Sequence, residues 1–486
     1  MEQLSRVVWP HYVERPEKVL QFGEGNFLRA FVDWQIDELN KKTNFNGQVV
    51  VVQPRGKGKM ERINKQDGLF TLLLQGVKDG QAVEERQVVN AISRGIDLFN
   101  DYASYLKLAH SPSLRFVISN TTEAGIVFDA TDCLTHTPQK SFPAKLTAFL
   151  YERFTAFNGA TDKGLVILPC ELIEQNGERL KMYVLQYAKQ WELTDAFTAW
   201  IELANTFCNT LVDRIVPGRP SEAEKVEHQL GYKDELLVAA EHYYFWAIQG
   251  PASLKKELPF EEIGLHTIFV EDLAPYRTRK VRILNGAHTA MTPIAYLYGL
   301  QTVSETIENP VIGEFIKDMI FEEIVPVVQG NRAEIEAFAE DVLERFKNPY
   351  IAHYLMSIAM NSISKFKTRN VPTLLEYYEL NGLLPVRLTF SLAALLIFYR
   401  GQYGEEKIEL ADDEEIISRF TKQWERYDST YESARMLVTN LLSDATLWGV
   451  DLTKIEVLVD VVSKMLYEID RNGMQYALQA TITLNK

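Results

Sequence analysis

Short apolar blocks alternate with helically spaced stretches over the first part of the chain, and helical spacing alone dominates the rest. Residues 18–22 (KVLQF), 48–53 (QVVVVQ), 115–119 (RFVIS) and 164–169 (GLVILP) are compact runs rich in Val, Ile and Leu. Unbroken apolar strands separated by segments of 3.6-residue periodicity predict a parallel sheet covered by helices on both faces. Residues 26–40 predict a helix directly after the first strand. From about Arg279 onward, segments such as NPVIGEFIKDMIFEEIVPVV and EIEAFAEDVLERF have helical spacing, and strand-like runs are few. The change falls near residues 275–285. It predicts an α/β N-terminal Rossmann-like domain over residues 1–278 and a mainly α-helical C-terminal domain over residues 279–486. The acidic run from Glu405 to Glu415 predicts a solvated loop and a helix start.

Composition changes this picture little. A chain of 486 residues is too long for one compact core, which agrees with two domains. With 46% hydrophobic and 24% charged residues it is an ordinary globular sequence. No run of eighteen uncharged apolar residues predicts a membrane span. The start, MEQLSRVVWPHYVERP, lacks the basic and then apolar pattern of a signal peptide. Cys133, Cys170 and Cys208 lie far apart, which predicts reduced thiols and a cytoplasmic location. The net charge of -15 argues against nucleic acid as a partner. An anionic substrate would need a local cluster of Lys and Arg against that field. Neither H-E-x-x-H nor G-x-S-x-G occurs, so metalloprotease and serine-hydrolase chemistry find no motif.

The stretch VLQFGEGNFLRAF, residues 19–31, carries the first candidate chemistry. Gly23 allows a tight strand-to-helix turn, and Gly25 lets a phosphate approach the backbone at a helix N-terminus. The third glycine of the usual G-x-G-x-x-G pattern is replaced by Leu28. The second strand ends in Gln53-Pro54-Arg55, with Lys57 and Lys59 following, where an NAD site usually offers an acid. Those cations could accept a 2′-phosphate, so both NAD and NADP stay open on this reading.

The second candidate is RKVRILNGAH, residues 279–288. At about 100° per residue on an α-helix, Lys280, Asn285 and His288 fall within an arc of about 140°. A lysine whose pKa is lowered by burial and by neighbours such as Arg279 and Arg282 can take a hydroxyl proton. Asn285 could donate to a developing alkoxide, and His288 could orient the lysine or a hydroxyl. A polar interdomain helix with a satisfied histidine has the same pattern.

GEGNFLRAF together with K-x-x-x-x-N-x-x-H resembles the mannitol dehydrogenase family, long-chain polyol dehydrogenases that work without a metal. The resemblance extends over nearly the whole chain, and in this family the glycine turn reads G-x-G-x-F-x-R. It implies reversible hydride transfer with NAD(H) in a cleft between the two domains. Lys280 would be the general acid/base, Asn176 (in CELIEQNGERL) and Asn285 a two-amide oxyanion hole, and His288 part of the catalytic group. Gly23, Gly25, Asn26, Phe27, Arg29, Gln53, Asn120 and Glu123 would surround the cofactor. Asp213 (in NTLVDRIVP) and Lys365 match substrate-contacting positions, and Arg369 is a further candidate. Mannitol-oxidising members carry an arginine eight residues before that lysine, where this chain has Ser357. The runs QFGEGNFLRAFVDWQID, VVVVQPRG, QDGLFTLLLQG and SNTTEAGI are most similar to members acting on hexuronates, which implies a sugar-acid substrate. A nucleotide-sensing protein that lost catalysis is the alternative from another class, and retention of Lys280, Asn176, Asn285 and His288 argues against it. The oligomeric state stays open.

Overall fold

In the computed structural model, which describes residues 1–56, 60–78, 80–122, 124–455 and 457–484, the chain divides into two compact units. The first comprises Met1–Gly76 and Val83–Leu273. The second comprises Ala274–Lys486 together with Val77–Ala82.

Six parallel strands organise the first unit: β1 (Glu17–Phe22), β2 (Gln48–Val52), β3 (Ile92–Ile96), β4 (Phe116–Ser119), β5 (Val166–Pro169) and β6 (Thr206–Phe207). Their order is β3-β2-β1-β4-β5-β6, the doubly wound arrangement in which the direction of strand addition reverses between β1 and β4. The sequence blocks become strands because their alternate residues enter two separate cores. Val19, Val49, Val51, Phe116 and Ile118 pack on one face with Phe31, Ile36 and Trp246. Leu20, Phe22, Val50, Val52 and Val117 pack on the other with Leu146, Phe149 and Val184. Strand ends are in register: Phe22 lies opposite Val52 and Ser119, and Ser119 opposite Pro169. The residues that follow, Gly23, Gln53, Asn120 and Cys170, therefore emerge at one edge.

Two smaller sheets belong to this unit, apart from Val77–Ala82, which count with the second. One joins Val238–Ala240, Phe70–Lys78 and Gln81–Val89, and the other joins Thr267–Val270, Phe245–Gln249 and Asn209–Asp213. The alternating-block reading of the sequence does not contain them.

Helices make up most of the described residues of Ala274–Lys486, with one short hairpin of Gln402–Tyr403 and Glu406–Lys407 among them. The helices Gly286–Tyr298 and Val386–Phe398 are buried along nearly their whole length and are tied together by Ser391 Oγ donating to Ala290 O at 2.7 Å. The acidic run is a hairpin edge and then a helix, Glu414–Trp424, capped by Asp413. No helix of the described residues is long and apolar enough to cross a membrane.

Candidate active site

In the first unit, Gly23 sits at φ +133, a conformation that residues with a side chain rarely adopt. A Cβ there would lie 3.0 Å from both Asn120 O and Leu28 Cδ1, so Leu28 fills the space beside the turn. Gly23 N–H donates to Val52 O at 3.0 Å. From beneath, Gln21 Nε2 donates to Gly23 O at 3.0 Å and to Asp33 Oδ2 at 3.1 Å. Burial pushes the Asp33 carboxyl up to about 7. Gly25 and Asn26 are exposed, and no side chain caps the helix that starts there. Free N–H groups at a helix start fit a pyrophosphate. Arg29 is buried, donating to Glu24 O (2.6 Å), Asn26 Oδ1 (2.9 Å) and Leu236 O (3.3 Å), so its guanidinium braces the turn. Phe27 stacks on Phe31 at 5.0 Å.

Gln53 is buried, and its amide donates to Gly56 O (2.9 Å) and Asp97 Oδ1 (3.1 Å), closing the ends of β2 and β3. Arg55 donates to Ala124 O at 3.1 Å. Lys57, Lys59 and Glu123 lie outside the described residues. After β4, Asn120 N–H donates to Phe22 O at 3.0 Å, and Thr122 holds φ +77. A β-branched residue there carries strain of about 1–3 kcal/mol.

Asn176 opens the helix α1 (Asn176–Gln190) and is buried. Its amide nitrogen donates to Pro169 O (3.0 Å), Glu171 O (3.0 Å) and Thr210 O (3.1 Å). Its oxygen accepts from Gly177 N and Thr210 N, each at 2.9 Å. Both hydrogens are engaged, so the side chain knots β5 to the strand Asn209–Asp213. Gly177 is required beside it, because a Cβ would lie 2.2 Å from Cys208 O. Asp213 ends that strand, buried, opposite Phe245.

In the second unit, the α-helical arc expected for the lysine group is replaced by a π-helical turn over Lys280–Asn285, followed by α2 (Gly286–Tyr298). Bonds from residue i to i+5 wind the chain less per residue, so Lys280 and Asn285, five apart, return toward one side. Both are half-buried. Asn285 O accepts from Thr289 Oγ1 at 2.9 Å, while its side-chain amide has no hydrogen-bond partner among the described residues. His288 is buried against Phe346 (4.3 Å between centroids) and His353 (4.9 Å), whose imidazole burial pushes to lower pKa. Arg282, expected to bias the lysine, instead donates to Thr373 Oγ1 and to Glu376 Oε1, each at 2.8 Å. Arg279 lies over Tyr276 and Phe338.

The helix α3 (Ser362–Arg369) crosses this group. Arg369 donates to Thr289 Oγ1 at 3.1 Å, and Asn370 Nδ2 donates to Gly286 O at 3.0 Å. Lys365 Nζ donates to Ile358 O at 2.9 Å. Burial, then the nearby Arg369 charge, lowers the Lys365 pKa against the opposing effect of Asp412; burial also lowers that of Arg369. Neither cation has a carboxylate within ion-pair distance among the described residues.

Sequence reasoning passed over Glu171, Arg214, Thr289, His353 and Asn370. Arg214 donates to Ala30 O (2.6 Å) and Glu241 O, and lies over the Trp34 ring, with burial pushing it down to about 10. The available signal was a charged residue placed directly after an apolar strand, as in P-C-E and V-D-R.

A doubly wound sheet with an open helix start at its glycine turn, and a helical unit presenting lysine, amide and imidazole, define a two-unit oxidoreductase acting on CH–OH groups. Residues 17–262 match the family described as the mannitol dehydrogenase Rossmann domain, and residues 272–470 match the mannitol dehydrogenase C-terminal domain. The chain belongs to the mannitol dehydrogenase family. It is 56% identical over 480 residues to altronate oxidoreductase of Bacillus subtilis (strain 168), covering 99% of this chain and 98% of the relative. It is 47% identical over 481 residues to altronate oxidoreductase of Escherichia coli O1:K1 / APEC, covering 99% of each. Among solved structures, D-sorbitol dehydrogenase in substrate-free form is similar with a TM-score of 0.81 at 21% identity, over 98% of this chain and all of that one. Pseudomonas fluorescens mannitol 2-dehydrogenase, in ternary complex with NAD and D-mannitol, is similar with a TM-score of 0.69 at 22% identity, over 98% and 96%. These two likenesses concern the fold.

Proposed function

We propose that this protein catalyses the reversible, NAD(H)-dependent reduction of D-tagaturonate to D-altronate in the cytoplasm, with Lys280 and not a metal ion moving the proton. The observation that carries the reading is the full-length 56% identity to an altronate oxidoreductase, on a chain that retains the lysine group. The open helix start at Gly25 and Asn26 fits the cofactor pyrophosphate, with Asn120 beside it at the reversal of strand order. Bound there, NADH supplies the hydride for the ketone carbon.

The chain's own residues handle the charge and the proton. As negative charge grows on the ketone oxygen, the uncommitted amide of Asn285 donates to it, and Lys280 Nζ delivers the proton. In altronate oxidation neutral Lys280 takes the hydroxyl proton instead. Asn176 keeps the strand ends in place, and Asp213 and His288 hold neighbouring hydroxyls. Lys365 and Arg369 supply local positive charge for the sugar acid against the chain's net charge of -15.

NADH and NADPH oxidation with tagaturonate, fructuronate and fructose in parallel tests this. Rapid NADH loss with tagaturonate alone is expected. Activity with fructuronate alone would keep the chemistry and change the substrate. No oxidation of either cofactor with any of the three would overturn the enzymatic reading and favour a nucleotide sensor.

A further inference from the structure

Glu171 follows β5 by two residues, is fully buried, and pairs with no lysine or arginine among the described residues. Three donors converge on it instead. Its Oε2 accepts from Ser119 Oγ at 3.0 Å, and its Oε1 accepts from Thr121 N and Thr121 Oγ1, each at 2.9 Å. Its own carbonyl accepts from Asn176 Nδ2 at 3.0 Å. A buried carboxylate is costly unless such donors satisfy it, so this arrangement ties three places together for a reason other than burial itself.

What it ties down is the loop after β4. That loop leaves the sheet where strand order reverses, where doubly wound folds bind their ligands. Asn120 O is the atom that a Cβ at Gly23 would meet at 3.0 Å, so loop and glycine turn are packed backbone to backbone. Thr122 keeps φ +77, which persists only where surrounding structure over-determines it. The bonds from Ser119 and Thr121 to one buried side chain supply that constraint.

Resting on the reading that this edge holds the nicotinamide cofactor, we propose that Glu171 is a positioning residue for hydride transfer, holding the Ser119–Thr122 loop and Asn176 in one frame. The role is geometric. Glutamine can keep its oxygen on Thr121 and donate its amide to Ser119 Oγ, since a hydroxyl can reverse its bond. Alanine offers nothing to any of the three donors.

The full-length wild type, Glu171→Gln, Glu171→Ala and Thr121→Val would be compared by NADH fluorescence titration, by thermal melting, and by kcat on tagaturonate with NADH and with NADH deuterated at the transferred position. Glutamine is expected to stay within about threefold of wild type. Alanine is expected to lose about tenfold to a hundredfold in kcat, the order that small misplacements of reacting groups cost, with weaker NADH binding and a larger isotope effect. An alanine variant that melts lower but keeps wild-type NADH affinity, kcat and isotope effect would overturn the proposal, as would a glutamine variant as impaired as alanine. If the alanine variant does not fold, Thr121→Val removes one donor at constant size and is judged on the same readouts. Wild-type protein that binds NADH but leaves tagaturonate unreduced would refute the substrate reading alone, and the NADH titrations would then decide Glu171.

Discussion

Two asparagines expected to act alike are held so differently that replacing each with alanine should do opposite things. Asn285 is half-buried with an uncommitted side-chain amide, and its bonded group is the backbone carbonyl that Thr289 reaches at 2.9 Å. Asn285→Ala removes no protein hydrogen bond, and alanine is the better helix former by roughly 0.5 kcal/mol. Its melting temperature should match or slightly exceed that of wild type. Losing an oxyanion donor should lower kcat about 10²–10³-fold, or about 2.7–4 kcal/mol. Asn176→Ala deletes the bonds to Pro169, Glu171 and Thr210 carbonyls and from the Gly177 and Thr210 N–H groups. Some partners retain a second bond: Pro169 O keeps Thr210 Oγ1, Glu171 O keeps Ile173 N, and Gly177 N keeps Asn209 Oδ1. With buried bonds worth about 0.5–1.5 kcal/mol each and a small cavity added, the net cost is about 2–4 kcal/mol. That is a fall on the order of 5–10 °C in melting of the first unit. Calorimetry and steady-state kinetics on both variants separate the effects. An Asn285→Ala protein that melts lower, or that retains kcat within threefold, would refute the oxyanion assignment.

Other outcomes follow from the same geometry. Lys280→Ala should abolish turnover while leaving the Kd for NADH nearly unchanged by fluorescence titration; loss of NADH binding as the main defect would remove the acid/base assignment. Gly23→Ala should destabilise the first unit by about 2–4 kcal/mol from left-handed strain and the Asn120 contact, whereas Gly25→Ala, whose Cβ meets nothing within 4 Å, should fold normally and weaken NADH binding. Burial raises the Asp33 pKa from 3.8 to about 7, so the folded protein binds this proton more tightly than the unfolded chain does. The resulting stability is fully present below about pH 4 and is lost as pH rises through about 7. Asp33→Asn should therefore melt higher than wild type at pH 8, with the difference shrinking toward pH 4.

The parallel strands were legible because their residues enter two cores and must be apolar throughout; the expected blocks at 18–22, 48–53, 115–119 and 164–169 meet β1, β2, β4 and β5 within two residues at each end. The strands Phe70–Lys78 and Gln81–Val89 were not, since Gln81–Val89 is largely exposed and carries little apolar pattern. Within the site, residue types were legible and their commitments were not. Asn176 and Asn285 read alike until the carbonyls around Asn176 are in place. Arg282 read as a neighbour of the lysine until Glu376, ninety-four positions away in sequence, took its charge. Such long-range pairings leave no periodic trace.

The π turn at Lys280–Asn285 makes the orientation of the lysine depend on the winding of the backbone as well as on residue identity. Such a turn is equivalent to one residue inserted into an α-helix. Straightening the turn into ordinary α winding with every residue kept would swing Lys280 by about 100° relative to His288. Deleting one residue from Val281 to Leu284 together with the turn would leave the two facing nearly as before, with every functional side chain still in the sequence. Substitution scans would leave that equivalence invisible, whereas a single-codon deletion scan would expose it as tolerance of one deletion within the turn. A chain one residue shorter here and wound as plain α-helix would likewise present its lysine on the same side.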